Sequence, residues 1–168
     1  FVHSPGAGVN NEGAIYLANG TAGTANGFFN DLLIGRADGT VASENFGSSL
    51  DTFTLSNGDV LVRSQTSNAG GFANGGTVVQ IVSDGSLGGG NIIRGRIDGG
   101  SAGELLGQFS ATASGDGVHY FVTSQLADPG GLADAGSIYF MNQTTGTLAN
   151  RVDGISANEQ LGSSSAFL

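Results

Sequence analysis

The sequence predicts an all-β chain built from three tandem antiparallel repeats of about 60 residues each. Similar apolar segments run into Ser4, Ser64 and Ser124, which are spaced 60 residues apart. A fixed period of this kind is typical of one supersecondary unit stacked on copies of itself. Asn-Gly and Asp-Gly pairs, which close tight hairpins, recur along the chain. No stretch keeps a helical apolar stripe free of glycine or β-branched clusters.

The first element of each complete repeat is a predicted hairpin, seen over residues 50–64. Alternating threonine and apolar residues lead into a Ser-Asn-Gly turn, and a second strand returns to Ser64. The returning strand carries apolar side chains on both faces, at Leu61 and Val62. We therefore expect this strand to be buried on both sides.

The next elements are a loop with a Gly-led strand and then a charged block. The Gly-led strands begin at Gly13, Gly76 and Gly136. The charged block reads R-x-D-G-x-x-A-x-E-x-[FL]-G, and its copies are separated by 60 and 55 residues. Its recurring charged residues are Arg36, Asp38 and Glu44, then Arg96, Asp98 and Glu104, then Arg151, Asp153 and Glu159.

Two interpretations of this charged block are open. The paired carboxylates are suitable for binding a metal ion or a sugar. Alternatively, each arginine bonds a carboxylate across a turn, and each aspartate accepts backbone N–H groups before the glycine. The structural interpretation is favoured, because a catalytic site needs asymmetry and these residues are the same in every copy.

Composition limits the class of function. Only 11% of the residues are charged, lysine is absent, and the net charge is −9, so nucleic acid is a poor partner. No apolar run reaches the ~20 residues of a membrane span, and cysteine chemistry is absent. Abundant glycine, serine, threonine and asparagine favour an extracellular or cell-surface stalk or fibre.

Three segments carry a resemblance to a known family: 46–50 (Phe-Gly-Ser-Ser-Leu), 57–62 (Asn-Gly-Asp-Val-Leu-Val) and 76–81 (Gly-Thr-Val-Val-Gln-Ile). They resemble the FG-GAP type of β-propeller repeat found in bacterial surface proteins. The resemblance implies a four-stranded, blade-like unit of about 60 residues. The calcium loop of that family is missing from the hairpin turns, so no cofactor is expected.

The chain is interpreted as one repeat domain, 1–168, with units of about 1–49, 50–108 and 109–168. Residue 1 aligns with 61 and 121, and residue 168 aligns with 113, so the repeat is cut within a hairpin. The terminal strands then need a partner from the same chain, from the next subunit or from further repeats of a longer chain. The candidate assembly strands are Phe1, Val2 and His3 at one end and Ala166, Phe167 and Leu168 at the other.

These features predict a structural repeat protein of an extracellular or cell-surface assembly. It would be an adhesin or a fibre subunit that polymerises head-to-tail by strand complementation. The alternative is a propeller-like module that recognises glycan or protein through loops 19–29, 70–74 and 130–134. We do not expect an enzyme, because His3 and His119 lack a nucleophile context. Asn19 and Asn142 are candidate glycosylation sites.

Overall fold

The computed structural model describes residues 13–18, 33–47, 50–82, 92–108 and 111–163. These residues form antiparallel strands and two single 3₁₀ turns, Ala69–Gly71 and Pro129–Gly131, so the predicted all-β class is confirmed. The strands are β1 Ala14–Ala18, β2 Leu33–Asp38, β3 Leu50–Thr54, β4 Val60–Ser64, β5 Thr77–Ile81, β6 Ile93–Asp98, β7 Ala111–Ala113, β8 His119–Ser124, β9 Ser137–Asn142 and β10 Leu148–Asp153.

The strands form three sheets in which sequential strands are neighbours. Sheet 1 contains β1 and β2, sheet 2 runs β3-β4-β5-β6, and sheet 3 runs β7-β8-β9-β10. The two larger sheets lie within residues 50–108 and 109–168. Their registers correspond: Val62 lies opposite Val79 in sheet 2, and Val122 lies opposite Tyr139 in sheet 3.

Apolar clusters join neighbouring sheets. We call the contact between sheets 1 and 2 the first junction and that between sheets 2 and 3 the second junction. Since side chains alternate along a strand, Val62 of β4 packs in the first junction and Leu61 in the second. Both are buried, which confirms the expectation for this strand. The first junction contains Ile15, Ala37, Phe46, Val62, Val79, Ile81 and Ile92. The second contains Leu55, Leu61, Val78, Leu106, Tyr120, Val122, Tyr139 and Met141.

The Gly-led start of the third strand in each repeat lies against the end of the charged block. Gly13 forms an isolated parallel bridge with Phe46, and Gly136 forms one with Leu161. Gly136 has φ +82°, and a Cβ there would overlap the backbone of Leu161. Only glycine can adopt this conformation and also allow the backbone of Leu161 to lie so close. The charged block is thereby fixed beside its own sheet.

Several predicted features fall outside the described residues: the terminal segments Phe1–His3 and Ala166–Leu168, the loop 19–29, and Asn19. In the part of the chain that is described, no helix is long and apolar enough to cross a membrane.

Candidate assembly site

The arginine and aspartate of each charged block bond to each other along one strand. Arg96 Nε donates to Asp98 Oδ1 at 2.8 Å, and Arg151 Nε donates to Asp153 Oδ1 at 2.5 Å. Residues two apart on a strand share a face, so the pair forms within the strand and not across a turn as expected. The predicted Arg–carboxylate bond is present, but its placement differs.

The glutamate, and not the aspartate, accepts the backbone N–H groups of the turn. Glu104 Oε2 accepts Gly100 N at 2.6 Å and Ser101 N at 3.1 Å. Glu159 Oε2 does the same for Ile155 N at 2.7 Å and Ser156 N at 3.2 Å. The longer side chain reaches back four residues to the start of the turn. The expectation that the aspartate makes these bonds was therefore wrong.

The aspartates instead bond to hydroxyl groups at the start of the neighbouring strand. Thr77 Oγ1 donates to Asp98 Oδ1 at 2.5 Å, and Ser137 Oγ donates to Asp153 Oδ1 at 2.7 Å. Each aspartate lies opposite that residue in the strand register. The Arg–Asp pair therefore ties the last strand of a repeat to the strand beside it.

The second oxygen of the glutamate connects one repeat to the next. Glu44 Oε1 accepts Arg96 Nη2 and, at 3.4 Å, Ser67 Oγ, both from the second repeat. Glu104 Oε1 accepts Tyr139 Oη of the third repeat at 2.9 Å. The two glutamates are 0% and 2% exposed. Buried carboxylates need such partners, because desolvation penalises an unpaired charge.

Aromatic rings lie beside the three arginines; the guanidinium carbon of Arg96 lies 5.3 Å from the ring centre of Phe46. The guanidinium carbon of Arg151 lies 4.8 Å from the ring centre of Tyr139, and that of Arg36 lies 5.6 Å from the ring centre of Tyr16. These distances allow cation–π attraction. Burial, together with the nearby Glu104 charge, raises the pKa of Tyr139, so its hydroxyl remains a donor.

Glu159 has the same local bonds as its counterparts but a different environment. Its side chain is exposed, and no hydrogen bond or ion pair reaches its Oε1 from the described residues. Val152 and Ile155 beside it are 44% and 86% exposed. Ile97, which corresponds to Val152, packs against the second junction. The third repeat thus presents the contact elements of a junction without a sheet across from them in the described structure.

A second polar group crosses the second junction at the hairpin turn of sheet 2. Asp59, 4% exposed, accepts Arg94 Nε at 2.6 Å and Gln80 Nε2 at 2.5 Å. Gln80 Nε2 also donates to the carbonyl of Gln143 at 2.5 Å. The Asp59 carboxylate, in the turn between β3 and β4, is therefore occupied by protein donors. Within the described residues, no group of three or more acidic or histidine side chains could hold a metal ion.

His119 lies in a local polar group that lacks the geometry of a nucleophile and its base. Its Nδ1 lies 2.7 Å from Asp116 Oδ2, and Ser114 Oγ donates to Asp116 Oδ1. Both side chains therefore bond to one carboxylate, whereas a catalytic serine would bond to the histidine. The bond to His119, with those from Ser114 and two backbone N–H groups, lowers the pKa of Asp116.

The loops 70–74 and 130–134, which the alternative function would use for binding, have nearly the same structure. Asn68 Oδ1 accepts Asn74 N at 2.9 Å, and Asp128 Oδ1 accepts Asp134 N at 2.8 Å. Each loop contains one of the 3₁₀ turns. Their exposed apolar side chains are Phe72 and Leu132.

The candidate glycosylation site Asn142 ends β9. Its Oδ1 accepts the N–H groups of Thr144 at 2.9 Å and Thr145 at 3.0 Å. The side chain therefore takes part in the turn between β9 and β10.

The recurring charges were predicted from the sequence, but their partners across the junctions, above all Tyr139 and Ser67, were not. The sequence carried one signal for such partners: glutamate recurs at the same position of every charged block, although the chain has few charged residues.

No protein-family model matches the chain, and no curated protein matches it. The fold and the contacts define a class of protein: tandem antiparallel β repeats whose recurring charges connect each repeat to the next.

Proposed function

We propose that this chain is a structural repeat protein of an extracellular or cell-surface assembly, as an adhesin or fibre-forming subunit. One observation carries the proposal. The glutamates that recur in the charged blocks are used to join neighbouring repeats, at Glu44 to Arg96 and at Glu104 to Tyr139. Side chains that are buried in such contacts hold the array together and have no free groups for chemistry on a substrate.

Composition and fold support the same proposal. The chain has no lysine, a net charge of −9 and many small polar residues, as expected for an exposed stalk. Four-stranded sheets with strands in sequential order agree with blade-like units of the FG-GAP type. Stacked repeats of this kind gain stability from each interface with a neighbour, so the array is suited to extension and to head-to-tail growth.

The test is electron microscopy of the native material, combined with sedimentation of the purified chain over a range of concentrations. Rings, fibres or long arrays are expected, and the sedimentation coefficient should rise with concentration. A species that stays at 16.7 kDa throughout, with no ordered assembly in its native setting, would exclude the assembly function.

A binding module is the second candidate, and the two similar loops favour it. Phe72 and Leu132 are 41% and 37% exposed at equivalent positions of two loops that share the same side-chain hydrogen bond. Exposed apolar side chains on such loops can serve as anchors for a ligand. Replacing both with alanine should abolish adhesion to glycan or protein. Val118→Ala is the matched control, since Val118 is 42% exposed outside these loops. If the double loop variant adheres as well as Val118→Ala does, this candidate is excluded.

A further inference from the structure

We propose that the outer face of the third repeat, centred on Glu159, binds the first repeat of a second copy of this chain at Arg36. This inference rests on the proposed assembly function and specifies its interface. The new contact would reproduce, between two copies, the junction that the chain already forms twice within itself.

The two internal junctions define what such a contact requires. In the first, Arg96 Nη2 of the later repeat donates to Glu44 Oε1 of the earlier one. In the second, Tyr139 Oη donates to Glu104 Oε1, while Arg151 stacks on the tyrosine ring. In both cases the earlier repeat supplies a glutamate oxygen, and the later repeat supplies the donor.

The third repeat has the acceptor half of this contact. Glu159 keeps the turn bonds of its counterparts through Oε2, and its Oε1, the oxygen that Glu104 uses for Tyr139, accepts no hydrogen bond from the described residues. Val152 pairs with Ile138 as Ile97 pairs with Val78. Ile97 packs against the second junction, whereas Val152 is 44% exposed. The same sequence position is therefore covered in one repeat and exposed in the other.

The first repeat has the donor half. Arg36 lies over the ring of Tyr16, as Arg151 lies over the ring of Tyr139. Its Nε bonds to Asp38, and its side chain is 30% exposed. Because Arg36 is the counterpart of Arg96, its terminal nitrogens correspond to the group that donates to Glu44. The first repeat therefore offers the arginine donor that the first internal junction uses.

A second copy is the occupant that these observations favour, because the two halves are complementary in charge and both belong to this chain. The contact is head-to-tail, so each copy keeps one free half, and assembly can propagate. If the contact formed within one copy instead, it would use the same residues, but its formation would not depend on protein concentration.

Charge reversal tests the proposal. Glu159→Arg and Arg36→Glu should each weaken the association of the chain by about 30-fold or more, because each places like charges across the contact. A mixture of the two variants should associate again. Every mixed contact then pairs opposite charges: Arg at 159 with Glu at 36, or the native Glu159 with the native Arg36.

Sedimentation velocity on each variant and on the mixture measures this. Val152→Asp leaves the charged block intact and should also weaken association, so the test does not depend on folding of the charge variants. Ala133→Asp, at an exposed position of the loop 130–134, is the control and should associate as the native chain does.

The outcomes separate the inference from the proposed function. If the native chain assembles but the reversals leave its association unchanged, or the mixture remains monomeric, the interface is wrong and the assembly function stands. If the native chain does not associate at any concentration, this interface is overturned, and if its native material also shows no ordered assembly, the assembly function is overturned with it. If Arg36→Glu and Glu159→Arg change only the stability of a monomer, the contact is closed within one copy and the second-copy proposal fails.

Discussion

Replacing Glu104 provides the most direct measure of what the charged block contributes to a junction. Glu104 is 2% exposed and accepts Gly100 N and Ser101 N through one oxygen and Tyr139 Oη through the other. Alanine removes both sets of bonds. We expect Glu104→Ala to lower the free energy of unfolding by about 1.5–4 kcal/mol.

The magnitude follows from the fate of each donor. Gly100 and Ser101 are not buried, so water can bond to their N–H groups, and this part costs about 0.5–1 kcal/mol. Tyr139 is 4% exposed, and its hydroxyl would lose its acceptor in an apolar junction, which costs about 1–3 kcal/mol. Glu104→Gln keeps an oxygen for the turn and presents an amide group to the hydroxyl, so about 1 kcal/mol is expected.

Glu159 supplies the matched control. It makes the same turn bonds, to Ile155 and Ser156, but is exposed. Glu159→Ala should therefore cost only the turn contribution of about 0.5–1 kcal/mol. Urea denaturation, at concentrations where the chain sediments as a monomer, compares the variants.

A double-mutant cycle with Tyr139→Phe isolates the contact across the junction. The coupling energy between Glu104→Ala and Tyr139→Phe should be about 1–2 kcal/mol, since either change alone removes the same bond. If Glu104→Ala costs no more than Glu159→Ala, or if the coupling is zero within error, the role of the glutamate across the junction is refuted.

Three further predictions concern backbone fit and titration. Gly136→Ala should destabilise the chain by at least about 2 kcal/mol more than Gly131→Ala. Both glycines have positive φ, but of the two only Gly136 would place a Cβ against backbone atoms, those of Leu161. Equal denaturation midpoints for the two variants would contradict this. Burial, then the charge of Glu104, raises the pKa of Tyr139 above its ordinary 10.0. The stability linked to the protonated Tyr139 hydroxyl is therefore fully present below pH 10.0 and is lost as pH rises through the raised pKa. Tyr139→Phe should reduce this loss of stability at high pH, as measured by denaturation curves. The His119 and Ser114 bonds lower the pKa of Asp116 below its ordinary 3.8. The NMR titration of its carboxyl group should therefore have a midpoint below pH 3.8, and His119→Ala should move that midpoint toward 3.8.

Much of the fold could be predicted from the sequence, because a tandem repeat shows its own framework. The hairpin of β3 and β4 followed from alternation and an Asn-Gly turn, and both faces of β4 were correctly predicted to be buried. Periodicity does not specify which repeat covers which face, so the composition of the junctions emerged only from the structure.

The candidate site was predicted less well, because a motif fixes which residues recur but not where their oxygens point. Assigning the turn bonds to aspartate followed from its usual preference before glycine. In the structure, Arg96 already engages Asp98 along the strand, and Glu104 can reach the turn with one oxygen. Its other oxygen contacts Tyr139, 35 residues later. Contacts between repeats cannot be read from a pattern that is local to each repeat.

The charged block also explains why a chain with few charges repeats the same three. Apolar junction clusters are not directional, so Val62 or Leu61 would pack acceptably in several alignments of neighbouring sheets. A buried glutamate does not allow this freedom. Glu44 Oε1 meets Arg96 and Ser67 in only one register, and any other alignment would leave this buried carboxylate without its arginine, with only the local turn bonds of Oε2 remaining. The recurring glutamate therefore specifies how one repeat sits on the next, and this specification is what an array needs if its repeats are to add in one orientation.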